Sequence, residues 1–132
     1  MNRRVFFKLG VLGTGAMTIP LLHCRSNDSF SKLLQQPAFL SQICDENVIR
    51  EIGKAYRKIK PQEDKQGQLI NRLMTDEKGK KIAPDLTDEK LKTIIDQIIK
   101  SDFKKENTIN LNGWVLSVTE ARQCALFSLS PQ

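Results

Sequence analysis

The sequence predicts a mainly α-helical protein, a small domain of about five helices with one β-hairpin before the C-terminal helix. Apolar residues recur at helical spacing through most of the chain after residue 30. The period then changes to two in "NTINLNGWVLS", which turns at Asn112-Gly113, a pair typical of a type I′ hairpin turn. Ser117 and Glu120 follow at capping-box spacing, which predicts the start of the last helix. At 132 residues, the chain fits one core.

Residues 1–24 are predicted to be an export signal. Basic residues come first, followed by an apolar run at residues 9–22 that spans about 21 Å as a helix, less than the roughly 30 Å of a bilayer core. Within "NRRVFFK", both arginines and two further residues match the twin-arginine signature Ser/Thr-Arg-Arg-x-Phe-Leu-Lys; the matching residues are Arg3, Arg4, Phe6 and Lys8. The alternative is a general secretory signal, but the low hydrophobicity of the apolar run favours twin-arginine export.

Cys24 is a candidate lipidation site, because "LLHC" resembles a lipoprotein cleavage box. His23 stands where such a box has a small residue, so lipidation and simple cleavage both remain open. Lipidation with more than one acyl chain would tether the protein to a membrane. Residues 25–32 are polar and small, as expected of a tether, and residues 33–132 are predicted to be a single helical domain.

The helices of this domain are predicted from their apolar stripes and their terminal charges. Pro37 divides residues 30–43 into two short helices or one kinked helix. A helix over residues 45–60 begins with acids and ends with lysines, and its apolar stripe runs from Val48 to Ile59. Pro61 is a candidate start for the next helix, which has Gly67 in its middle.

A polar loop with Gly79 and Pro84 follows, and it carries the lysines at positions 78, 80 and 81. These lysines are interpreted as a solvated basic cluster, and a binding patch is the alternative. The strongest predicted helix comes next and begins at Asp85 or Thr87. It has one broad apolar stripe, which predicts a core position; the stripe consists of Leu91, Ile94, Ile95, Ile98, Ile99 and Phe103.

The charge distribution argues against a nucleic-acid partner. The formal net charge is +6, but Arg3, Arg4 and Lys8 lie in the leader, which leaves 18 basic against 15 acidic residues after it. These charges alternate along the predicted helices, whereas phosphate binding requires basic groups gathered on one face.

The domain after the leader shows no recognisable catalytic, metal or cofactor motif. His23 is the single histidine, so the domain lacks the commonest general base and metal ligand. Cys44 and Cys124 have no second ligand at zinc spacing. In an oxidising compartment they would form a disulfide that closes a loop of about 80 residues; the alternative, favoured by their apolar neighbours, is two buried thiols. Glu63 and Asp64 are interpreted as acids at a helix start.

Trp114 has two interpretations, an anchor for a partner or a side chain that covers the core of its own hairpin. We take Trp114 and Phe127 as candidate contact residues for a partner, since both lie in the apolar C-terminal region.

The leader, the helical domain of about a hundred residues and the late Gly-Trp hairpin in "NGWVLSVTEARQCAL" resemble the small accessory subunits of membrane-associated flavin dehydrogenases for sugars and sugar acids, such as gluconate and sorbitol. This resemblance implies a larger partner subunit that holds FAD, and no cofactor in this chain. It also implies recognition of Arg3 and Arg4 by the twin-arginine translocase and a periplasmic, membrane-tethered location. The expected function is therefore a non-enzymatic accessory subunit; the alternative is a stand-alone envelope lipoprotein or ligand-binding module.

Overall fold

The computed structural model describes residue 30 and residues 32–131, and within it Lys32–Gln132 form one compact unit. The predicted fold class is confirmed: the unit is mainly helical, and a two-stranded antiparallel hairpin precedes the last helix. Among the described residues, no helix is long and apolar enough to cross a membrane. The elements, in chain order, are α1 (Ala38–Ile43), α2 (Glu46–Ile59), a 3-10 turn (Pro61–Glu63), α3 (Gln66–Leu73), α4 (Asp88–Lys104), β1 (Thr108–Leu111), β2 (Trp114–Ser117) and α5 (Val118–Ser128).

Pro37 separates two short helical pieces. Residues 32–35 are helical, and α1 begins directly after Pro37, whose carbonyl accepts a hydrogen bond of 2.9 Å from the Ser41 amide. Proline has no amide hydrogen to continue the first helix, but its fixed φ suits the position before a new one. Of the two predicted arrangements, the chain therefore adopts two pieces.

Helix α2 begins where its acids predict. The Asp45 side chain accepts a hydrogen bond of 3.0 Å from the Val48 amide, and Ile49, Ile52 and Tyr56 are buried. Ile59, the last residue of the predicted apolar stripe, lies outside the core, because its side chain is 56% exposed.

The helix predicted from Pro61 starts later than expected. Pro61 opens a 3-10 turn that ends at Glu63, and α3 begins at Gln66. The Gln68 side chain accepts a hydrogen bond of 3.3 Å from the Lys65 amide, which satisfies one donor at the new helix start. Gly67 consequently lies in the first turn of α3 rather than in the middle of a longer helix.

Helix α4 buries a narrower stripe than predicted. Thr87 is its N-cap and accepts a hydrogen bond of 3.3 Å from the Lys90 amide. Leu91, Ile95 and Ile98 are buried, whereas Ile94 and Ile99 are half-buried and Phe103 is 46% exposed. The buried stripe continues at Asp102 instead of Phe103, because the Asp102 carboxylate accepts hydrogen bonds from the amide and the hydroxyl of the buried Thr119. The prediction for Phe103 is therefore wrong.

The hairpin and the start of α5 form as local sequence predicts. Leu111 pairs with Trp114 across a turn in which Asn112 and Gly113 have φ of 54° and 89°, as a type I′ turn requires. Ser117 accepts from the Glu120 amide at 3.0 Å, and the Glu120 carboxylate accepts from the Ser117 amide at 3.1 Å.

Helix α5 is the centre of the fold. Between Thr119 and Phe127 every side chain is buried except Arg122, which is half-buried. It packs against α2 so closely that a Cβ atom on Gly53 would lie 2.0 Å from the carbonyl oxygen of Cys124. Arg50, near the start of α2, contacts the carbonyls at the end of α5, which shows that the two helices run in opposite directions.

We expect Gly53→Ala to destabilise the protein by roughly 3 kcal/mol, because the added methyl group overlaps the α5 backbone, which has no flexible end to move aside. Gly67→Ala is the matched control: it meets no atom within 4 Å, and alanine favours helix by up to about 1 kcal/mol. Urea unfolding followed by circular dichroism measures both. Equal stability of the two variants would contradict the close packing.

Candidate functional site

The predicted export and lipidation residues lie outside the described residues. Arg3, Arg4, Phe6, Lys8 and Cys24 all precede residue 30. Their roles remain predictions from the sequence.

Both cysteines of the domain are free thiols, so no disulfide joins Cys44 to Cys124 in the structure. Cys124 is buried in α5, and Cys44 is half-buried at the end of α1. Burial raises the pKa of the Cys124 thiol to about 12, and the nearby Glu120 carboxylate acts in the same direction. This thiol therefore stays protonated at neutral pH and is a poor nucleophile.

The two candidate contact residues have different environments. Trp114 is half-buried and lies on the same face of the hairpin as the buried Leu116. Phe127 is only 7% exposed, and its ring centroid lies 4.7 Å from the guanidinium carbon of Arg50. Phe127 is thus an internal residue, and α5 does not provide the exposed apolar surface that the sequence suggested.

A buried ionic cluster that the sequence did not predict joins α2, the 3-10 turn, α3 and α5. We call Tyr56, Glu63, Arg72 and Arg122 the Glu63 cluster. Arg122 donates to both carboxylate oxygens of Glu63, from Nε at 2.8 Å and from Nη2 at 3.4 Å, and the Tyr56 hydroxyl donates at 2.9 Å. The Arg72 Nε atom lies 4.0 Å from the same carboxylate. Glu63 lies in the first turn of the 3-10 helix, but it is buried there and is a structural anion inside the protein.

The contacts within the Glu63 cluster shift the pKa values of Glu63 and Tyr56. Burial alone would raise the pKa of Glu63, but the hydrogen bonds and charge of Arg122 outweigh it and hold that pKa below 4.5. Burial raises the pKa of Tyr56 to about 12, with the Glu63 carboxylate contributing to the increase. The cluster thus holds a charged carboxylate and a neutral phenol over the whole physiological pH range.

One sequence feature does point to Glu63. Tyr56 lies in the apolar stripe of α2, and a buried tyrosine hydroxyl usually finds a hydrogen-bond partner. Glu63 is the first acid after this tyrosine, and Pro61 between them ends the helix and turns the chain. The arginine partner has no comparable signal, since Arg122 is distant in sequence.

The start of α5 has a second buried acid. Asp102 of α4 accepts from the Thr119 amide at 3.1 Å, from the Thr119 hydroxyl at 2.6 Å and from the Asn107 side chain at 3.2 Å. This carboxylate satisfies a free amide at the helix N-terminus, where negative charge is favoured. Asp102 therefore attaches α4 to α5.

A polar cavity of about 180 Å³ lies between these two groups of residues. Three acids line it, and each accepts hydrogen bonds from the protein: Asp76, Glu77 and Asp102. The cavity can hold water or a small polar molecule; its wall includes Arg72, Asp76, Lys105, Asn107, Thr119 and Arg122.

A larger groove of about 480 Å³ lies between the loop at residues 76–86 and one face of α4. We call it the basic groove, because Lys78, Lys80 and Lys81 line it. Its floor is apolar and consists of Ile82, Ala83, Leu86, Ile94 and Ile98. A groove with apolar floor and charged rim can bind an elongated molecule that has both characters.

An apolar strip is exposed on α1. Phe39 and Ile43 are 64% and 54% exposed, and their spacing of four residues places them on one face of the helix. We call this pair the α1 strip. Val115, at 61% exposed, is a separate apolar residue on the outer face of the hairpin.

The described residues contain no group of three or more histidine, cysteine or acidic side chains that could hold a metal ion.

We expect Glu63→Gln to destabilise the protein by roughly 2 kcal/mol at pH 7, because Arg122 would stay half-buried without its counter-charge. The lowered pKa of Glu63 gives the sign of the pH dependence: its contribution is present above pH 4.5 and is lost as pH falls through the folded-state pKa. The difference between variant and wild type should thus shrink below pH 4.5 in urea unfolding. Glu51→Gln is the control, as its pair with Lys54 is exposed and contributes under about 1 kcal/mol; equal losses would contradict the assignment.

Tyr56 is the only tyrosine, so phenolate absorbance reports its ionisation directly. In the native protein we expect a midpoint near pH 12, against 10.0 in the urea-unfolded chain. Because the pKa of Tyr56 is raised in the folded protein, its buried neutral phenol contributes fully to stability below pH 10. This contribution is lost as pH rises towards 12. A native midpoint near 10, with circular dichroism unchanged, would show that Tyr56 is not enclosed.

No protein-family model matches this chain, and neither a curated protein nor a solved structure matches it. What the protein does must therefore be inferred from its own residues.

Proposed function

We propose that this protein is an exported, membrane-tethered, non-enzymatic accessory subunit of a periplasmic oxidoreductase whose larger subunit holds FAD. The observation that carries the proposal is the twin-arginine pattern of "NRRVFFK". That route moves folded proteins and is used mainly where a cofactor is inserted before export. A small chain on this route is explained if it escorts a folded, cofactor-bearing partner.

The residues of the domain support a role in binding. Its sequence has no histidine after the leader, and Glu63 and Asp102 are already committed to hydrogen bonds within the protein. The Cys124 thiol has a pKa raised by burial, which disfavours nucleophilic chemistry.

The α1 strip is the proposed contact with the partner. Phe39 and Ile43 are large, adjacent and exposed, and burying them against a second protein would contribute about 2 kcal/mol for each side chain. This contact replaces the one expected at Phe127, which is internal. Trp114 remains a second candidate, since its side chain is half-buried and part of it is open to solvent.

The second candidate function is a stand-alone envelope lipoprotein that binds a ligand. The basic groove favours it, because its volume of about 480 Å³ lies within the range of small-molecule sites. Such a protein would be recovered alone, whereas an accessory subunit would be recovered with its partner.

Affinity purification of the tagged full chain from its native host tests the proposal. We expect a larger protein with flavin absorbance and sugar or sugar-acid dehydrogenase activity to co-purify. Phe39→Asp together with Ile43→Asp should abolish its recovery, while Ser41→Asp, a matched exposed position on α1, should not. Recovery of the wild-type chain as a monomer without flavin would overturn the accessory role, and equal loss with Ser41→Asp would overturn the contact.

Cell fractionation tests the predicted export route and membrane anchor. Replacing Arg3 and Arg4 by lysine should leave the protein in the cytoplasm, and Cys24→Ser should release it from membranes while it is still exported. Unchanged fractionation of either variant would refute the corresponding step.

A further inference from the structure

We propose that the basic groove binds a free medium-chain fatty acid, with its carboxylate at Lys78 and Lys80 and its alkyl chain on the apolar floor. This goes beyond the proposed accessory role, and it does not depend on the α1 strip. The groove is a concavity of about 480 Å³, within the size range of small-molecule sites. A concave surface suits a single alkyl chain better than the flat face of a bilayer.

A hydrogen-bonded turn fixes the backbone positions of Lys78 and Lys80. The Asp76 carboxylate accepts from the amides of Lys78 and Lys80, both at 2.9 Å, and Gly79 between them has a φ of 81°. The Ile82 amide donates to the Met74 carbonyl at 2.8 Å and closes the base of the turn. The two lysines therefore leave the backbone at fixed points on the rim of the groove.

Each acid of the groove wall uses one carboxylate oxygen for hydrogen bonds within the protein. Asp76 accepts the two amides of its own turn, and Glu77 accepts from the Ser101 hydroxyl at 2.7 Å and from the Lys105 ammonium at 3.3 Å. These contacts with Ser101 and Lys105 hold the pKa of Glu77 below its usual range.

The lysines of the rim differ in their side-chain contacts. Lys81 contacts the side chain of Asn71, but Lys78 and Lys80 have no acidic partner among residues 32–131. The rim carries three lysines against two acids, and this net positive charge favours an anionic head group.

The floor selects an apolar chain. Ile82 and Ile98 close its bottom and are nearly buried, while Leu86 and Ile94 are half-buried and leave part of their side chains open to the groove. An alkyl chain lying on them would remove apolar surface on both sides from water. The rim of the groove therefore offers charge and its floor offers apolar contact, which matches a fatty acid.

Isothermal titration calorimetry of the full chain with dodecanoate, below the concentration at which dodecanoate forms micelles, tests the proposal. We expect saturable binding of one molecule per chain. Decanoate should bind roughly fivefold more weakly, because two methylene groups fewer contact the floor. Dodecanol, which lacks the charge, should bind roughly tenfold more weakly than dodecanoate.

Variants separate the groove from general charge attraction. Lys78→Gln with Lys80→Gln should weaken dodecanoate binding roughly tenfold and leave dodecanol binding unchanged. Lys32→Gln with Lys58→Gln removes the same charge from exposed positions outside the groove and should change neither. Ile94→Asn, with its fold checked by circular dichroism, should weaken both ligands.

Three results would overturn the proposal. One is the absence of saturable dodecanoate binding. Another is an equal loss in the two lysine pairs, or a loss in neither, which would place the ligand elsewhere, including on the leader. The third is binding only to anionic phospholipid vesicles and not to monomeric dodecanoate, which would make the groove a membrane-contact surface.

Discussion

The close crossing of α2 and α5 at Gly53 is the constraint on which the rest of the fold depends. Because Gly53 has no side chain, the carbonyl of Cys124 occupies the space where a Cβ atom would lie. The two helices are therefore in direct backbone contact at this point. Glycine in a helix costs about 1 kcal/mol relative to alanine, so this position accepts a local penalty in return for packing. Ile49, Ile52 and Tyr56 can bury themselves against α5 only at this separation. The C-terminal helix thereby becomes the centre of the molecule, and the other elements surround it.

Polar side chains from other elements hold both ends of α5. At its C-terminus, Arg50 donates to the carbonyls of Phe127, Ser128 and Ser130, at 3.3, 3.4 and 2.8 Å, where a cation is favoured. At its N-terminus, Asp102 accepts the Thr119 amide, and one turn later Arg122 pairs with Glu63. A buried helix cannot use water for its terminal groups, so these partners are required for α5 to occupy the core. The buried charges therefore stabilise the position of α5 in the core.

Whether a feature could be predicted from the sequence depended on how far apart its parts lie in the chain. The Ser117–Glu120 capping box, the Asn112-Gly113 turn and the Asp45 cap involve residues at most three apart, and each forms as expected. The sequence does not predict the ion pair of Glu63, because its partner Arg122 is 59 positions away. Phe103 and Ile59 follow the helical period but are exposed, and Phe127, a predicted contact residue, is buried. The spacing of residues defines a face, and only the tertiary fold determines what covers it.

The proposed partner contact and the proposed ligand site can be occupied at the same time, because neither residue of the α1 strip lines the groove. Residues 33–38, which lead into α1, meet α4 beside Lys92, Ile95 and Ile99, where a small cavity is shared with Gln123. The basic groove uses Ile94, Gln97 and Ile98 on another face of that helix. Contact at the α1 strip would leave the groove open, since none of the residues that line it belongs to α1. Ligand binding in the groove and recruitment of a partner at the strip are therefore separable by substitution, and a variant of one surface serves as a control for the other.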